Sequence, residues 1–175
     1  MATKTARIRL DGEGLRFSVK TGSGHRFVLD SSEGNSGPSP AELVPAAAAA
    51  CAAMDVISIL RKKRQDVAHY EIEAVGTQSE DQPPIFTRLD VTHIVEGPAL
   101  DVAAVRRAIE LSATKYCAVG GTLAAGATEI HHAYLTRSGK GRWESGEVMV
   151  TGPFHSLLTF LDGDVGTAPP LAESV

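Results

Sequence analysis

The chain predicts an α+β fold in which β-strands gather around two central helices. Three observations point there: the order of the patterned segments, a strong helix start at Ser39-Pro40-Ala41-Glu42, and a second helical repeat of apolar residues beyond position 100. The order reads three strands, a long helix, two strands, a helix and a last strand. Strands that come in runs, rather than alternating singly with helices, are the pattern of α+β packing. The 175 residues are ample to bury one core. Residues 1–137 are expected to form that domain, with 138–175 a C-terminal appendage.

Ala6-Arg7-Ile8-Arg9-Leu10 and Arg16-Phe17-Ser18-Val19-Lys20 alternate polar and apolar residues, and glycines at 12, 14, 22 and 24 punctuate them. His25 to Asp30 completes a meander, and the polar run Ser31 to Pro38 is a loop. At the helix start Ser39 can cap a backbone N–H, Pro40 fits a turn that needs no donor, and Glu42 can return the bond to Ser39. The helix is expected from Pro40 to about Lys63, with Pro45 in its second turn bending the axis. Residues 69–76 and 86–95 alternate as half-buried strands. Val102, Val105 and Ile109 mark a helix over about 100–112, and Ala127 to Arg137 reads as the last strand. Gly120-Gly121 predicts a break or bend close to Cys117. Beyond Ser138, Phe154, Leu157, Leu158 and Phe160 are expected to pack somewhere, since they would otherwise form an exposed patch.

Hydrophobic residues make up 43% and charged ones 22%, which argues against disorder and membrane insertion as classes. The apolar stretch Leu43 to Ile57 is read as too short to span a bilayer. A formal charge of −4 argues against nucleic acid as the main partner. The first residues lack the pattern of a secretory signal and cysteines are few, so a cytoplasmic location is expected.

The two cysteines carry the chemistry. Cys51 lies within an alanine-rich helical run, and Cys117 lies far along the chain. A pair so distant is no Cys-x-x-Cys clip, and two thiols are too few for tetrahedral zinc without histidines at ligand spacing, so neither a metal nor a cofactor is expected. Either they are a long-range thiol pair or two unrelated buried cysteines, free Cys being a small hydrophobe by default. His131-His132 places its imidazoles on opposite faces of a strand, which reads as ordinary sheet surface.

Three phrases, Gly37-Pro38-Ser39-Pro40-Ala41-Glu42-Leu43, Cys51 to Val67 and Leu111-Ser112-Ala113-Thr114-Lys115-Tyr116-Cys117, resemble the OsmC/Ohr family of thiol-dependent peroxide reductases. Met54 to Val67 looks most like its YhfA-like branch, and the likeness runs from about Arg7 to Arg137. The resemblance implies an intertwined homodimer, with two central helices packed between β-sheets and active sites at the subunit interface. It implies that Cys51 attacks a hydroperoxide, that Cys117 resolves the sulfenic acid as a disulfide, and that a dithiol, in the family often a lipoylated carrier protein, reduces it.

An arginine from the N-terminal strands, held by a glutamate, would then stabilise the thiolate. Arg16 and Arg26 are the candidates, and Arg26 is preferred because Arg16 sits where a solvent-facing arginine is the default. The family's acid follows proline directly, ten residues before the cysteine, and Ala41 stands there; Glu42 is one residue on, turned by about 100°. Its capping role is a complete alternative account. Asp55, one turn beyond Cys51, would raise a thiol pKa, and its simpler role is as a partner for Arg61, Lys62 or a basic residue of the other subunit. A hydroperoxide reductase is therefore expected; the alternative is a redox-inert relative that binds an apolar ligand or partner between subunits.

Overall fold

Alternation and glycine turns produce the first sheet. β1 (Ala6–Leu10), β2 (Phe17–Thr21) and β3 (Arg26–Leu29) form an antiparallel meander in the computed structural model, which describes residues 2–152. Gly24, at φ +93°, makes the tight β2–β3 turn. The carboxylate of Asp30 accepts hydrogen bonds from the Ser31 and Ser36 amides at 2.8 and 3.1 Å and from Ser36 Oγ at 2.6 Å, which organises the polar loop after β3.

Helix α1 (Leu43–Lys62) begins later than the expected Pro40. Pro45 lacks the N–H that would bond the Ala41 carbonyl, so residues 40–42 form turns and Leu43 opens the helix. Pro45 consequently lies in the first turn, where no donor is missed and no bend is required. The expected capping contacts are present before it: the Glu42 carboxylate accepts from Ser39 N and Ser39 Oγ, both at 2.7 Å. The chain divides into two compact units, Met1–Val44 and Pro45–Val175.

In the second unit, β4 (His69–Gln78), β5 (Phe86–Gly97), β6 (Glu129–Ser138) and β7 (Trp143–Thr151) form one sheet in that order. β5 and β6 are parallel, and the crossover between them carries α2 (Val102–Leu111), a π-helical turn (Ser112–Tyr116) and α3 (Ala118–Ala124). The fold is thus α+β, as the sequence predicts, with two differences. Gly120 and Gly121 lie inside α3 rather than ending a helix. Residues 143–151, set apart by their texture, are a strand of this sheet that buries Val148 and Met149. The expected packing of Phe154, Leu157, Leu158 and Phe160 lies outside the described residues.

Of the 20 residues of α1, Ala48, Ala52, Val56 and Leu60 form a buried stripe at intervals of four, with Ala49 beside it. Its lower half packs Ala48 against Leu89, Val91 and Ile130 of the sheet. Its upper half buries Val56 and Leu60 with Val95, Val105, Ile109 and Val148. By length and a mean hydropathy of 2.0, α1 as formed is long and apolar enough to cross a membrane, contrary to the reading of Leu43–Ile57 as too short. Val56 and Leu60 are nevertheless wholly enclosed by protein.

The inward face of β5 and β6 also holds a polar row. Tyr70 Oη and His93 Nδ1 share a hydrogen bond at 2.8 Å, their rings stack at 6.1 Å, and His93 stacks on His132 at 6.0 Å. His132 is 6% exposed, so it belongs to the core and not to the sheet surface expected for the His131-His132 pair. Burial, and after it the neighbouring imidazole, pushes His93 down to about 3 and His132 down to about 4.

Both histidines are therefore neutral in the folded protein well below the pH at which the unfolded chain protonates them. Between about pH 6.5 and 4 the unfolded state binds more protons, so stability falls as pH is lowered through that window. Urea unfolding is expected to show a loss of about 1 kcal/mol or more per pH unit between pH 6 and 5. The dependence should be shallower in His132→Asn; an unchanged slope would show that these imidazoles do not carry it.

Candidate functional site

Cys51 sits on α1 beside the buried stripe, and Asp55 follows one helical turn later on the same face. The third member comes from the crossover. The Cys117 N–H donates to the Ser112 carbonyl at 2.9 Å, five residues back, and this π bond closes a widened turn. Cys117 then adopts an extended conformation (φ −70°, ψ 98°) and caps α3, its Sγ accepting from Gly120 N at 3.2 Å.

A Cβ on residue 120 would lie 3.2 Å from that sulfur, which gives glycine a physical reason to stand inside the helix. Proximity of Cys117 to a break is thus correct, but the break precedes the two glycines.

The result is a convergence of groups remote in sequence. The two Sγ atoms and a carboxylate oxygen of Asp55 all lie within 4.8 Å of one another. Both cysteines are reduced; Cys51 and Asp55 are half-buried and Cys117 is buried. Ser112 Oγ donates to Asp55 Oδ2 at 3.2 Å, so the aspartate's partner is this buried hydroxyl and not Arg61 or Lys62.

Burial pushes the Cys117 thiol up to about 11, with Cys51 and Asp55 adding to the shift and the Gly120 N–H opposing it. A cavity of about 10 Å³ behind Cys117 is bounded by Ala48, Ala52, Gly120, Ile130 and His132 and has room for at most one water. The Nδ1 atom of His132 is buried and meets no hydrogen-bond partner among the described residues.

Arg26 and Glu42 belong to the first unit. Arg26 lies exposed on β3 in register with Lys20, and among the described residues its guanidinium makes no hydrogen bond or ion pair. Arg16 is committed within its own unit, paired with Asp11 and donating from Nε to Ser36 Oγ at 3.1 Å. Glu42 is engaged by Ser39, and those hydrogen bonds hold its carboxyl below the usual range.

Sequence reasoning did not find Ser112 or His132. Ser112 carried a signal, since it is a polar residue at a core phase of the apolar repeat. His132 carried the alternation of β6, which places it on the same face as Ile130.

Residues 33–132 match the family model described as OsmC-like protein. Protein YhfA of Escherichia coli K12 is 44% identical over 122 residues, 70% of this chain and 90% of that protein. The crystal structure of a hypothetical protein from Aquifex aeolicus VF5 is similar at 27% identity and a TM-score of 0.68, over 79% of this chain and 98% of the other. The organic hydroperoxide resistance protein OhrB of Bacillus subtilis, 18% identical, shares the fold at a TM-score of 0.53 over 76% of this chain and 98% of its own. With more than half its length matched, and a relative at this identity covered almost throughout, the chain belongs to the OsmC-like protein family.

Proposed function

We propose that the protein is a cysteine-based hydroperoxide reductase that works as a homodimer, with Cys51 the attacking thiol and Cys117 the resolving one. The observation that carries this reading is the approach of two sequence-distant thiols to within 4.8 Å. The Cys51 thiolate attacks the terminal oxygen of a hydroperoxide, the O–O bond breaks, and the departing oxygen leaves as an alcohol after gaining a proton. Cys51 is left as a sulfenic acid. Cys117 then loses its proton and attacks that sulfur, expelling water and forming the disulfide. A dithiol, such as a lipoylated carrier protein, returns both thiols.

The electrostatics of Cys117 support this assignment of roles. Burial pushes the Cys117 thiol up, which makes it unsuited to the first attack. Oxidation converts the Cys51 thiolate into a neutral sulfenic acid and removes one of the charges that hold the proton on Cys117. The second step is thereby triggered by the first. The confined space behind Cys117 supports substrate approach from the half-buried Cys51 side.

An uncommitted guanidinium supports Arg26, rather than Arg16, as the cation that stabilises the Cys51 thiolate. Glu42 would tether it in addition to capping α1. A dimer is supported by α1 itself: a helix apolar on most sides calls for cover all round, yet Met54 is 71% exposed and a single stripe is buried among the described residues.

Cys51→Ser is expected to abolish consumption of an alkyl hydroperoxide, whereas Cys117→Ser should complete one turnover and then over-oxidise, as read by intact-protein mass spectrometry. Free thiols in the wild type after rapid mixing with the peroxide would defeat the reading and favour the redox-inert alternative. Arg26→Ala should lower the rate constant for Cys51 oxidation more than Arg16→Ala does. Glu42→Gln should lower that rate if the carboxylate tethers the arginine, while Ser39→Ala leaves it unchanged; equal effects in both variants would reduce Glu42 to a cap.

Alkylation with iodoacetamide tests the thiol order directly. Burial pushes the Cys117 thiol up to about 11 and Cys51 is the more exposed of the two, so Cys51 should be modified first. Asp55→Asn should speed modification of Cys117. Equal rates at the two sites would overturn the assignment.

A further inference from the structure

The site has a donor set that peroxide chemistry does not require. Two sulfurs and a carboxylate oxygen, each able to contribute one ligand atom, lie within 4.8 Å of one another. Donors around a tetrahedral zinc ion, with Zn–S near 2.3 Å and Zn–O near 2.0–2.2 Å, stand about 3.5–3.8 Å apart. Side-chain rotation that draws the three groups together by about 1 Å or less would complete such a site.

We propose that the reduced protein binds one zinc-class divalent ion per chain through Cys51 Sγ, Cys117 Sγ and a carboxylate oxygen of Asp55.

Counting cysteines and histidine spacings misses this set, because its third ligand is an aspartate supplied by the helical phase of Cys51. Soft thiolates select a zinc-class ion over magnesium or calcium, and a fourth position would be left to water. Ligation releases the thiol protons to solvent, and the divalent charge offsets two of the three negative charges the ligands then carry. The surroundings fit the role of a built site. Ser112 Oγ donates to Asp55 Oδ2 at 3.2 Å, orienting the carboxylate and leaving its other oxygen for the ion. Gly120 N donates to Cys117 Sγ at 3.2 Å, an arrangement that stabilises a metal-bound thiolate. Two of the three ligands are half-buried and so offer a path from solvent, while Cys117 anchors the ion from within. Ligation would occupy the sulfurs and suspend any reaction with peroxide, but the inference does not rest on that activity.

The test is titration of the reduced, full-length protein with Co2+ under anaerobic conditions, followed by displacement with Zn2+. One equivalent should produce thiolate-to-cobalt charge-transfer absorption with the ligand-field pattern of a tetrahedral site, with release of protons and complete displacement by Zn2+. Cys51→Ser and Cys117→Ser should each reduce the charge-transfer intensity and weaken binding by at least about tenfold. Asp55→Asn, which keeps side-chain size and an acceptor for Ser112, should weaken binding at least about tenfold while retaining the charge-transfer band. No charge-transfer absorption at one equivalent of Co2+ would overturn the proposal, as would unchanged affinity in either cysteine variant or in Asp55→Asn. Binding measured without peroxide makes this result independent of whether the enzyme reading holds.

Discussion

The packing of one stripe of α1 onto the β5–β6 face is the constraint on which the site depends. Ala48 packs against Leu89, Val91 and Ile130 at one end of the stripe, and Val56 and Leu60 fill the other end. Once that stripe is seated, Cys51 and Asp55 are carried along its flank by helical geometry alone. The crossover must return from β5 to a parallel neighbour, and its helix α2 shares a buried cluster with α1 against the sheet. The π turn at its midpoint supplies the extra residue that brings Cys117 round to them.

The chemistry of the site follows from enclosure. Burial raises the thiol that points inward, and the neighbouring sulfur and carboxylate raise it further, so Cys117 is held in its protonated form. The same crowding of potential anions calls for a cation. A guanidinium and a divalent metal are the two physical answers, and each would bias the thiols differently: the first holds a thiolate available, the second occupies it. Behind the thiols the core carries neutral histidines where most proteins place aliphatic side chains, which ties the stability of the second unit to pH.

Much of the fold is legible in local pattern. Alternation marks β1, β2, β4 and β5, the Ser39–Glu42 capping contacts form just ahead of α1, and the apolar repeat at Val102, Val105 and Ile109 marks α2. The differences have specific causes. Pro45 delays the first helical turn because its nitrogen has no hydrogen to give. The glycines at 120 and 121 look like a terminator, yet both lie within α3, where a Cβ at 120 would stand 3.2 Å from the sulfur of Cys117. His132 reads as surface because alternation identifies which residues share a face but not which face is covered.

By itself the sequence determined the strands β1 to β6 and the helices α1 and α2, their order, the two thiols and the alignment of Asp55 with Cys51, because each of these depends on residues within a few positions of one another. Tertiary structure alone decided that Cys117 reaches Cys51, that Ser112 holds Asp55, and that one thiol is sealed in the core. Those outcomes depend on how a helix and a crossover pack across the same sheet. Long-range packing is set by the sum of many buried contacts, and no short stretch of the chain encodes it.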